Sequence, residues 1–364
     1  MKILIVIGTR PNFIKVTQFK RLAAAHYPQL EIKMVHTGQH YDEKMANIFF
    51  DQFELRPDFF LNIPAASPTR QLAEIMIRME SLIDTEFTPD LMIVPGDVNS
   101  TLAAALVANK KGIKLAHLES GLRSFDREMP EEWNRLLVDE MSDFYFVTEP
   151  SGLKYLAAEG KKGQCFHVGN TMIDTMVAFE QEIQQSDVLS RLSIGEAAFA
   201  LMTIHRPSNV DTADGIRTLI HLLRYLNDRM KVVFPIHPRT RKRITDFGFE
   251  QDFQQLKNII TTEPLGYFDF QKLVASCDMV LTDSGGIQEE TTFRGVPCLT
   301  LRENTERPIT VETGTNTLVP FQLDVLQSYI DAILRKDYKT GECPALWDGK
   351  ATARILACIA SHCS

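Results

Sequence analysis

The feature that most constrains this chain is the alternation of short apolar runs with longer segments of helical period. This alternation is typical of parallel sheets, because parallel strands are buried on both faces and are joined by helical crossovers. The pattern runs to about residue 170 and starts again near residue 198. At 364 residues the chain exceeds what one hydrophobic core usually serves. We therefore expect two α/β domains with a cleft between them.

Each half of the sequence contains about six apolar runs of strand length, an ordinary number for one sheet. The predicted strands are Ile3–Ile7, Ile32–His36, Leu91–Val94, Lys114–Leu118, Phe144–Val147 and Phe166–Val168, then Ala198–Ile204, Lys231–Ile236, Asn258–Thr261, Met279–Leu281, Pro297–Leu301 and Asn316–Val319. Helices are predicted over Gln71–Ile83 and Thr101–Lys110, the second ending at Gly112. The last predicted helix, Thr352–Ala360, has an apolar face that needs a surface to pack on, and the first domain would supply one.

Charge and cysteine content exclude several classes of function. The net charge of −8 and a pI near 5.7 argue against a general affinity for nucleic acid or for anionic membranes. The first apolar run is too short for a signal peptide or a membrane span. Six cysteines without a C-x-x-C pair indicate reduced thiols in the cytoplasm, and nine histidines without ligand spacing predict no metal site.

Residues that directly follow the strands are the candidates for ligand contact, because ligands bind outside the carboxyl ends of open parallel sheets. In the first such loop Gly8 permits a tight turn, and Arg10 and Lys15 could neutralise a diphosphate. The loop is not G-x-G-x-x-G, which argues against a dinucleotide cofactor, and we expect no cofactor. The alternative is a solvated turn with two surface cations.

Two carboxylates stand where later strands end. Asp97 and Glu119 each follow a predicted strand closely, so both are candidate general acids or bases directed into the cleft. Asp97 precedes Ser100 and Thr101 and could instead cap a helix. No such structural alternative applies to Glu119.

A third carboxylate, Glu131, lies in the first turn of a predicted helix that follows Pro130. Acidic residues are favoured there by the helix dipole, so a purely structural role is the alternative to catalysis. On the same helix Trp133, Leu136 and Leu137 are predicted to form the buried face.

The second half contains two further loops of this kind. His205 and Arg206 end the first strand of that half and place an imidazole beside a cation. The run Thr282–Glu290 reads as a strand, a Gly-Gly turn and a helix, an arrangement whose free N–H groups suit a phosphate. Glu290, one turn into that helix, could bind ribose hydroxyls. The alternative is a glycine-rich turn followed by an acidic first helical turn.

Taken together, these loops resemble those of the non-hydrolysing UDP-N-acetylglucosamine 2-epimerases over most of the chain, from Gly8 to about Arg307. Five motifs carry the resemblance. They are Gly-Thr-Arg-Pro-x-x-Ile-Lys from Gly8, Gly-Asp-x-x-Ser-Thr from Gly96, His-x-Glu-x-Gly-Leu-Arg from His117 with Pro-Glu-Glu-x-Asn-Arg from Pro130, Thr-x-His-Arg from Thr203, and Thr-Asp-Ser-Gly-Gly-x-Gln-Glu-Glu from Thr282 followed by Thr-Glu-Arg-Pro from Thr305.

The resemblance implies a GT-B fold, in which two Rossmann-like domains with parallel sheets face a central cleft. The corresponding domains would be 1–170, joined by a returning C-terminal helix over 351–364, and a UDP-binding domain over 171–350. It also implies a homodimer that interconverts UDP-N-acetylglucosamine and UDP-N-acetylmannosamine for surface polysaccharide synthesis. UDP would be eliminated across C1 and C2 and then added back, through an intermediate resembling 2-acetamidoglucal.

By motif position, the resemblance also implies the functional residues. The catalytic set would be Asp97, Glu119, Glu131 and His205. The substrate-binding set would be Arg10, Lys15, Arg123, Arg206, Phe270 (near the uracil), Ser284, Gly285, Gly286, Glu290 and Arg307.

Two stretches of the sequence differ from the corresponding stretches of many bacterial members of that family. The runs Gln39–Met45 and His205–Asn209 differ from the stretches that form an allosteric substrate site, so activation by substrate is not expected. The run Leu122–Arg127 also resembles epimerases of UDP-2,3-diacetamido uronic acids, which leaves the sugar open. The motifs are also compatible with a GT-B glycosyltransferase, with a hydrolysing epimerase that accumulates free UDP, and with a sugar-nucleotide sensor that has lost catalysis.

Overall fold

A computed structural model of the protein describes residues 1–38, 50–64 and 66–362. The chain forms two compact units, the first made of Met1–Ala178 with Ala345–Ser364 and the second of Phe179–Pro344. Two features noted in the sequence, Gln39–Met45 and Cys363, lie outside the described residues. The five cysteines in the described part of the chain form no disulfide bonds with one another. No helix within the described ranges is long and apolar enough to cross a membrane.

The first unit is built on a seven-stranded parallel sheet in the order β3-β2-β1-β4-β5-β6-β7. Its strands are β1 (Lys2–Ile7), β2 (Glu31–His36), β3 (Phe59–Phe60), β4 (Leu91–Pro95), β5 (Lys114–Leu118), β6 (Phe144–Val147) and β7 (Gln164–His167). Strand order changes direction between β1 and β4. Loops that follow strands at such a switch point are where open α/β sheets bind ligands.

Helices connect these strands. They are α1 (Arg10–Ile14), α2 (Phe19–His26), α3 (Pro68–Thr85), α4 (Asn99–Lys111), α5 (Pro130–Met141), α6 (Pro150–Ala158) and α7 (Thr171–Ala178), followed at the end of the chain by α18 (Ala351–His362). Both faces of the sheet are covered, which is why Ile3–Ile7 of β1 are at most 1% exposed. α4 ends at Gly112 in the left-handed conformation, as the sequence predicts.

The second unit repeats this plan with a six-stranded parallel sheet in the order β10-β9-β8-β11-β12-β13. The strands are β8 (Phe199–Thr203), β9 (Lys231–Pro235), β10 (Ile259–Thr262), β11 (Met279–Thr282), β12 (Cys298–Thr300) and β13 (Asn316–Leu318). The helices are α8 (Glu180–Gln185), α9 (Val188–Arg191), α10 (Pro207–Val210), α11 (Ala213–Asn227), α12 (Pro238–Asp246), α13 (Glu250–Gln254), α14 (Tyr267–Ser276), α15 (Gly285–Arg294), α16 (Ile309–Glu312) and α17 (Leu323–Leu334). Here the order changes direction between β8 and β11, so the loops after these two strands are the expected ligand loops.

The last helix, α18, belongs to the first unit. Its first turn is capped by Asp174 of α7, whose carboxylate accepts hydrogen bonds from the N–H groups of Ala351 at 3.0 Å and Thr352 at 2.5 Å. Just before the helix, Trp347 donates its indole N–H to the carbonyl of Thr148 at 3.1 Å. A carboxylate at a helix N-terminus satisfies otherwise unpaired N–H groups and complements the dipole.

Two sequence expectations about local structure were wrong. β3 was missed, because two residues are too few to form a recognisable apolar run. On α5, Trp133 and Leu137 are 43% and 46% exposed, whereas the buried positions include Glu132 and Arg135. α5 therefore turns a charged face inward, which places polar groups beside the ligand loops of the first unit.

Candidate active site

Three loops of the first unit meet where β1, β4 and β5 end. Nζ of Lys15, which follows α1, lies 2.7 Å from Oε2 of Glu119, and both side chains are buried. Gly96, after β4, packs against this pair, since a Cβ added there would lie 3.1 Å from Nζ of Lys15 and 3.9 Å from Oε2 of Glu119. Lys15, which is predicted to bind phosphate, is therefore in contact with Glu119, which is predicted to act as an acid or base.

The backbone of Glu119 is in the left-handed region, with a φ of +68°. This conformation costs a non-glycine residue free energy of order 1 kcal/mol or more and persists only where the surrounding structure imposes it. Its N–H donates to the carbonyl of Phe146 at 3.0 Å, which holds the turn onto β6. Such strain is typical of functional sites, so the conformation supports the prediction that Glu119 is functional.

Asp97 is held by α5. Its carboxylate is paired with the guanidinium of Arg135, and its carbonyl accepts a hydrogen bond from Nδ2 of Asn134 at 2.7 Å. The Asp97 side chain remains 27% exposed. Glu131, half-buried in the first turn of the same helix, is the third predicted acid.

Glu132, which the sequence did not single out, organises the loop that precedes α5. Its carboxylate accepts hydrogen bonds from the N–H groups of Ser124 and Phe125, each at 3.0 Å, and lies 2.7 Å from Nη2 of Arg135. Burial opposes its ionisation, but these donors outweigh burial and hold the pKa of Glu132 below its ordinary value. Its position beside Glu131 in sequence gave no indication of this role.

Arg123, predicted to contact substrate, is paired with two carboxylates. Its side chain is 1% exposed, and its guanidinium contacts the carboxylates of Asp139 and Glu159 at 2.7 and 2.8 Å. These contacts support the loop after β5. The contact of Arg123 with substrate stays a prediction.

Asp139 of α5 connects the loop after β5 to the loop after β4 through His117. Its carboxylate lies 2.6 Å from Nδ1 of His117 and accepts the N–H of Gly121 at 3.1 Å. On the other side of the ring, Nε2 of His117 donates to the carbonyl of Gly96 at 2.7 Å. Burial opposes ionisation of Asp139, but His117 and Arg123 outweigh it and lower its pKa. This network sets the position of the residue before Asp97.

In the second unit, His205 and Arg206 follow β8, as predicted, and both are half-buried. Nδ1 of His205 lies 2.9 Å from Oδ1 of Asp283, which directly follows β11. The ring of His237 is 5.4 Å away between centroids. Burial and the neighbouring His205 lower the pKa of His237, so the second imidazole is neutral near neutral pH.

The predicted phosphate cradle is formed by Ser284, Gly285 and Gly286 at the N-terminus of α15. Nε of Arg307 lies 2.7 Å from a carboxylate oxygen of Glu289, and its Nη1 is paired with Glu306. These groups approach the helix closely, since a Cβ at Gly285 would lie 2.7 Å from Oε1 of Glu306 and 3.0 Å from Nη1 of Arg307. The structure thus brings Arg307 to the predicted anion-binding turn.

Three remaining predicted residues lie near these loops within their own units. Arg10 begins α1 after β1 and is half-buried. Glu290 is buried in α15, one turn after the cradle. Phe270 of α14 is half-buried against the apolar cluster that includes Ile287 of α15. Within the described residues, no group of three or more His, Cys, Asp or Glu is placed to hold a metal ion.

Comparison with known proteins gives a consistent result. The family model described as UDP-N-acetylglucosamine 2-epimerase matches residues 22–360. The UDP-N-acetylglucosamine 2-epimerase of Methanocaldococcus jannaschii is 38% identical over 364 residues, with 98% of each chain covered. The UDP-2,3-diacetamido-2,3-dideoxy-D-glucuronate 2-epimerase of Pseudomonas aeruginosa is 35% identical over 365 residues, with 99% of each covered.

Solved structures agree with the sequence comparison. The crystal structure of the M. jannaschii UDP-GlcNAc 2-epimerase in complex with UDP-GlcNAc and UDP superposes with a TM-score of 0.90 at 36% identity, covering 99% of each chain. The Neisseria meningitidis UDP-GlcNAc 2-epimerase bound to UDP-GlcNAc gives a TM-score of 0.88 at 28% identity, with all of both chains covered. The predicted GT-B arrangement of two parallel-sheet α/β domains is confirmed at the level of the fold.

Proposed function

The chain belongs to the UDP-N-acetylglucosamine 2-epimerase family, and from this premise we propose that it interconverts UDP-N-acetylglucosamine and UDP-N-acetylmannosamine. The observation that carries the proposal is the buried contact between Lys15 and Glu119 beside Gly96. A cation that can meet a departing phosphate and a carboxylate that can move a proton are needed together in an elimination.

The chemistry follows from the sugar. The proton at C2 is not acidic, because no carbonyl stands beside it, so simple deprotonation would be too slow. In the proposed reaction the bond between C1 and the phosphate oxygen breaks and UDP leaves with the electron pair. A base removes the C2 proton, which leaves a double bond between C1 and C2. Return of a proton to the opposite face of C2 and of UDP to C1 gives the inverted sugar.

The three acids of the first unit supply the groups this scheme requires. Asp97, Glu119 and Glu131 would move the C2 proton and stabilise positive charge at C1, and His205 would act with them as a further acid or base. The partial exposure of the Asp97 side chain and its pairing with Arg135, which fixes its orientation, support such a role.

The nucleotide would be held mainly by cations and by the N-terminus of α15. We propose that the residues binding it are Arg10, Lys15, Arg206, Ser284, Gly285, Gly286 and Arg307 for the diphosphate, Glu290 for the ribose and Phe270 for the uracil. The closeness of Nη1 of Arg307 to Gly285 supports this assignment, because a cation then lies beside the N–H groups that begin α15.

A second candidate is epimerisation of UDP-2,3-diacetamido uronic acid. The P. aeruginosa relative, named for that substrate, matches this chain at 35% identity, close to the 38% of the M. jannaschii relative. The two substrates differ at C3 and C6, so both would undergo the same elimination at C1 and C2. A GT-B glycosyltransferase is disfavoured, because it would need only one base where the first unit carries three acids.

The test is proton NMR of the purified protein with UDP-N-acetylglucosamine in D2O, without metal or NAD. Appearance of UDP-N-acetylmannosamine with deuterium at C2 is the expected result. Substrate that stays intact and undeuterated contradicts this sugar, and the diacetamido uronate is then tested under the same conditions. Accumulation of free UDP instead would indicate a hydrolysing enzyme.

We also propose that the protein is a homodimer and that it acts in the cytoplasm. Its product would feed surface polysaccharide synthesis. The six cysteines of the sequence, which contain no C-x-x-C pair, favour a reducing compartment. Trp133 and Leu137, exposed one turn apart on α5, offer apolar surface that a second copy could cover. Sedimentation velocity would measure the oligomeric state, and a monomer at micromolar concentration would contradict the dimer.

A further inference from the structure

Asp283 connects the protein interior to the predicted catalytic histidine of the second unit. Its side chain is fully buried, and Oδ2 accepts hydrogen bonds from the backbone N–H groups of His205 at 2.9 Å and Arg206 at 2.7 Å. The other oxygen, Oδ1, lies 2.9 Å from Nδ1 of His205. The imidazole is 42% exposed, so the pair has one end in the core and the other at the surface.

The two residues meet because of the sheet topology. β8 and β11 are adjacent parallel strands whose register pairs Thr203 with Thr282, so the residues that follow them lie side by side. The N–H of Asp283 donates to the carbonyl of Thr203 at 3.2 Å, and Nδ2 of Asn209 donates to Oδ2 at 3.1 Å. The carboxylate is thus held from several directions and has one orientation.

The ionisation state of Asp283 affects which nitrogen of the His205 ring carries a proton. Burial opposes ionisation of Asp283, but the contact with His205 and the two N–H donors outweigh it and lower its pKa. An ionised carboxylate can only accept hydrogen bonds. A ring nitrogen that lies 2.9 Å from an ionised carboxylate oxygen is favoured in its protonated form, and in the neutral imidazole the lone pair is then on Nε2, at the opposite edge.

We propose that Asp283 is a positioning residue, which holds His205 as the Nδ1–H tautomer and presents Nε2 to the substrate. Asp283 itself touches no reacting atom. Among the described residues, His237, whose ring lies 5.4 Å from that of His205, and Arg239, which acts on His237, also lie on this side. Neither supplies a carboxylate that could compete for Nδ1. The kinetic consequence rests on the proposed function, whereas the tautomer does not.

The first test uses nitrogen NMR of the full chain with ¹⁵N-labelled histidine, without substrate, at alkaline pH. The His205 signals are assigned by their loss in His205→Gln. We expect Nδ1 to carry the proton. A neutral ring protonated at Nε2 overturns the proposal, even if the protein turns out to act on a different sugar.

The second test is a double-mutant cycle with Asp283→Asn and His205→Gln. In the wild-type background Asp283→Asn should lower kcat about a hundredfold while KM changes less than about threefold. In the His205→Gln background the same substitution should lower kcat less than about threefold, because the ring that Asp283 positions is gone. Equal losses in the two backgrounds would show that Asp283 acts independently of His205 and overturn the proposal.

The matched control is Asp211→Asn. Asp211 is the next carboxylate along this loop, and its oxygens accept hydrogen bonds from Arg239 at 2.7 Å and Arg243 at 3.1 Å. Its removal should leave kcat within about twofold of wild type, since surface ion pairs contribute little. If Asp283→Asn does not fold, the wild-type NMR measurement still decides the tautomer.

Discussion

Lys15 and Glu119 form a buried ion pair although 104 residues separate them in the chain. Their charged atoms are 2.7 Å apart, and the two side chains are only 6% and 3% exposed. Removing one member of such a pair takes the nearest opposite charge away from a buried charge, which costs more than the pair contributes. The same two residues are thus important for stability before any substrate binds.

Lys15→Met should therefore lower the free energy of unfolding by about 3 kcal/mol. The double variant with Glu119→Gln should recover part of that loss, because no charge is then left buried. Urea unfolding measures both values. Lys20→Met is the control, since Lys20 pairs with Asp58 at a half-exposed position and should cost less than about 1 kcal/mol. Similar losses for Lys15 and Lys20 would contradict the argument.

The three acids are expected to contribute to turnover much more than to nucleotide binding. Asp97→Asn, Glu119→Gln and Glu131→Gln should each lower kcat about a hundredfold or more, with UDP affinity changed less than about threefold. Initial rates by NMR and UDP titration by calorimetry separate the two effects. The control is Glu140→Gln, which removes an exposed acid from α5, the helix that also carries Glu131. An undiminished rate in any of the three variants removes that residue from the mechanism.

The sequence predicted where these loops lie in the fold, because position in a parallel sheet determines it. Lys15, Gly96 and Glu119 each follow a recognisable apolar strand, and neighbouring strands bring their ends to the same edge. The Gly-Gly turn before α15 was recognised for the same reason. A residue's place at a strand end can thus be inferred without knowing any long-range contact.

The supporting residues could not be inferred in this way. Glu132, Asp139 and Arg123 are buried charges whose partners include groups on other loops and helices, and a charged residue on a helix normally faces solvent. The apolar Trp133 and Leu137 suggested the opposite face of α5 as the buried one, and this was wrong. The inward face of α5 is set by the loops it supports, which helical periodicity does not reveal.

Asp139 should make stability dependent on pH in the acid range. Because its pKa is lowered on folding, its ionised form contributes stability that is fully present above the ordinary value of 3.8 and is lost as the pH falls below it. Asp139→Asn should be less stable by about 3 kcal/mol at neutral pH, and the deficit should shrink below about pH 4.

Urea unfolding at a series of pH values measures this deficit. Glu128→Gln, which removes an exposed acid from the same unit, is the control. Its free energy of unfolding should vary with pH nearly in parallel with that of the wild type. A deficit for Asp139→Asn that stays constant down to about pH 3 would show that ionisation of Asp139 is not the source of the stability.

Asp174 should hold the C-terminal helix in place. Asp174→Ala leaves the N–H groups of Ala351 and Thr352 without their carboxylate and should cost about 2 kcal/mol. Hydrogen exchange should show the loss first in the amides of α18, because local opening of the helix becomes easier. Asp348→Ala removes a more exposed acid next to that helix and should cost less than about 1 kcal/mol. Unchanged protection of α18 in Asp174→Ala would contradict this role.

Gly285→Ala tests the phosphate cradle directly. The new methyl group would lie 2.7 Å from Oε1 of Glu306 and 3.0 Å from Nη1 of Arg307, so the charged groups at the turn must move. We expect UDP affinity to fall at least about tenfold, because the displaced guanidinium no longer meets the diphosphate and the methyl group occupies the anion position. Calorimetric titration with UDP measures this loss.

The control for that experiment is Gly112→Ala in the first unit. Gly112 has a φ of +68° and open space around its Cβ position, so alanine there strains the backbone without touching a charged group. It should cost about 1 kcal/mol of stability and leave UDP affinity unchanged. If Gly285→Ala loses stability but binds UDP like wild type, the turn before α15 is not the phosphate site, and the diphosphate must be bound by other residues.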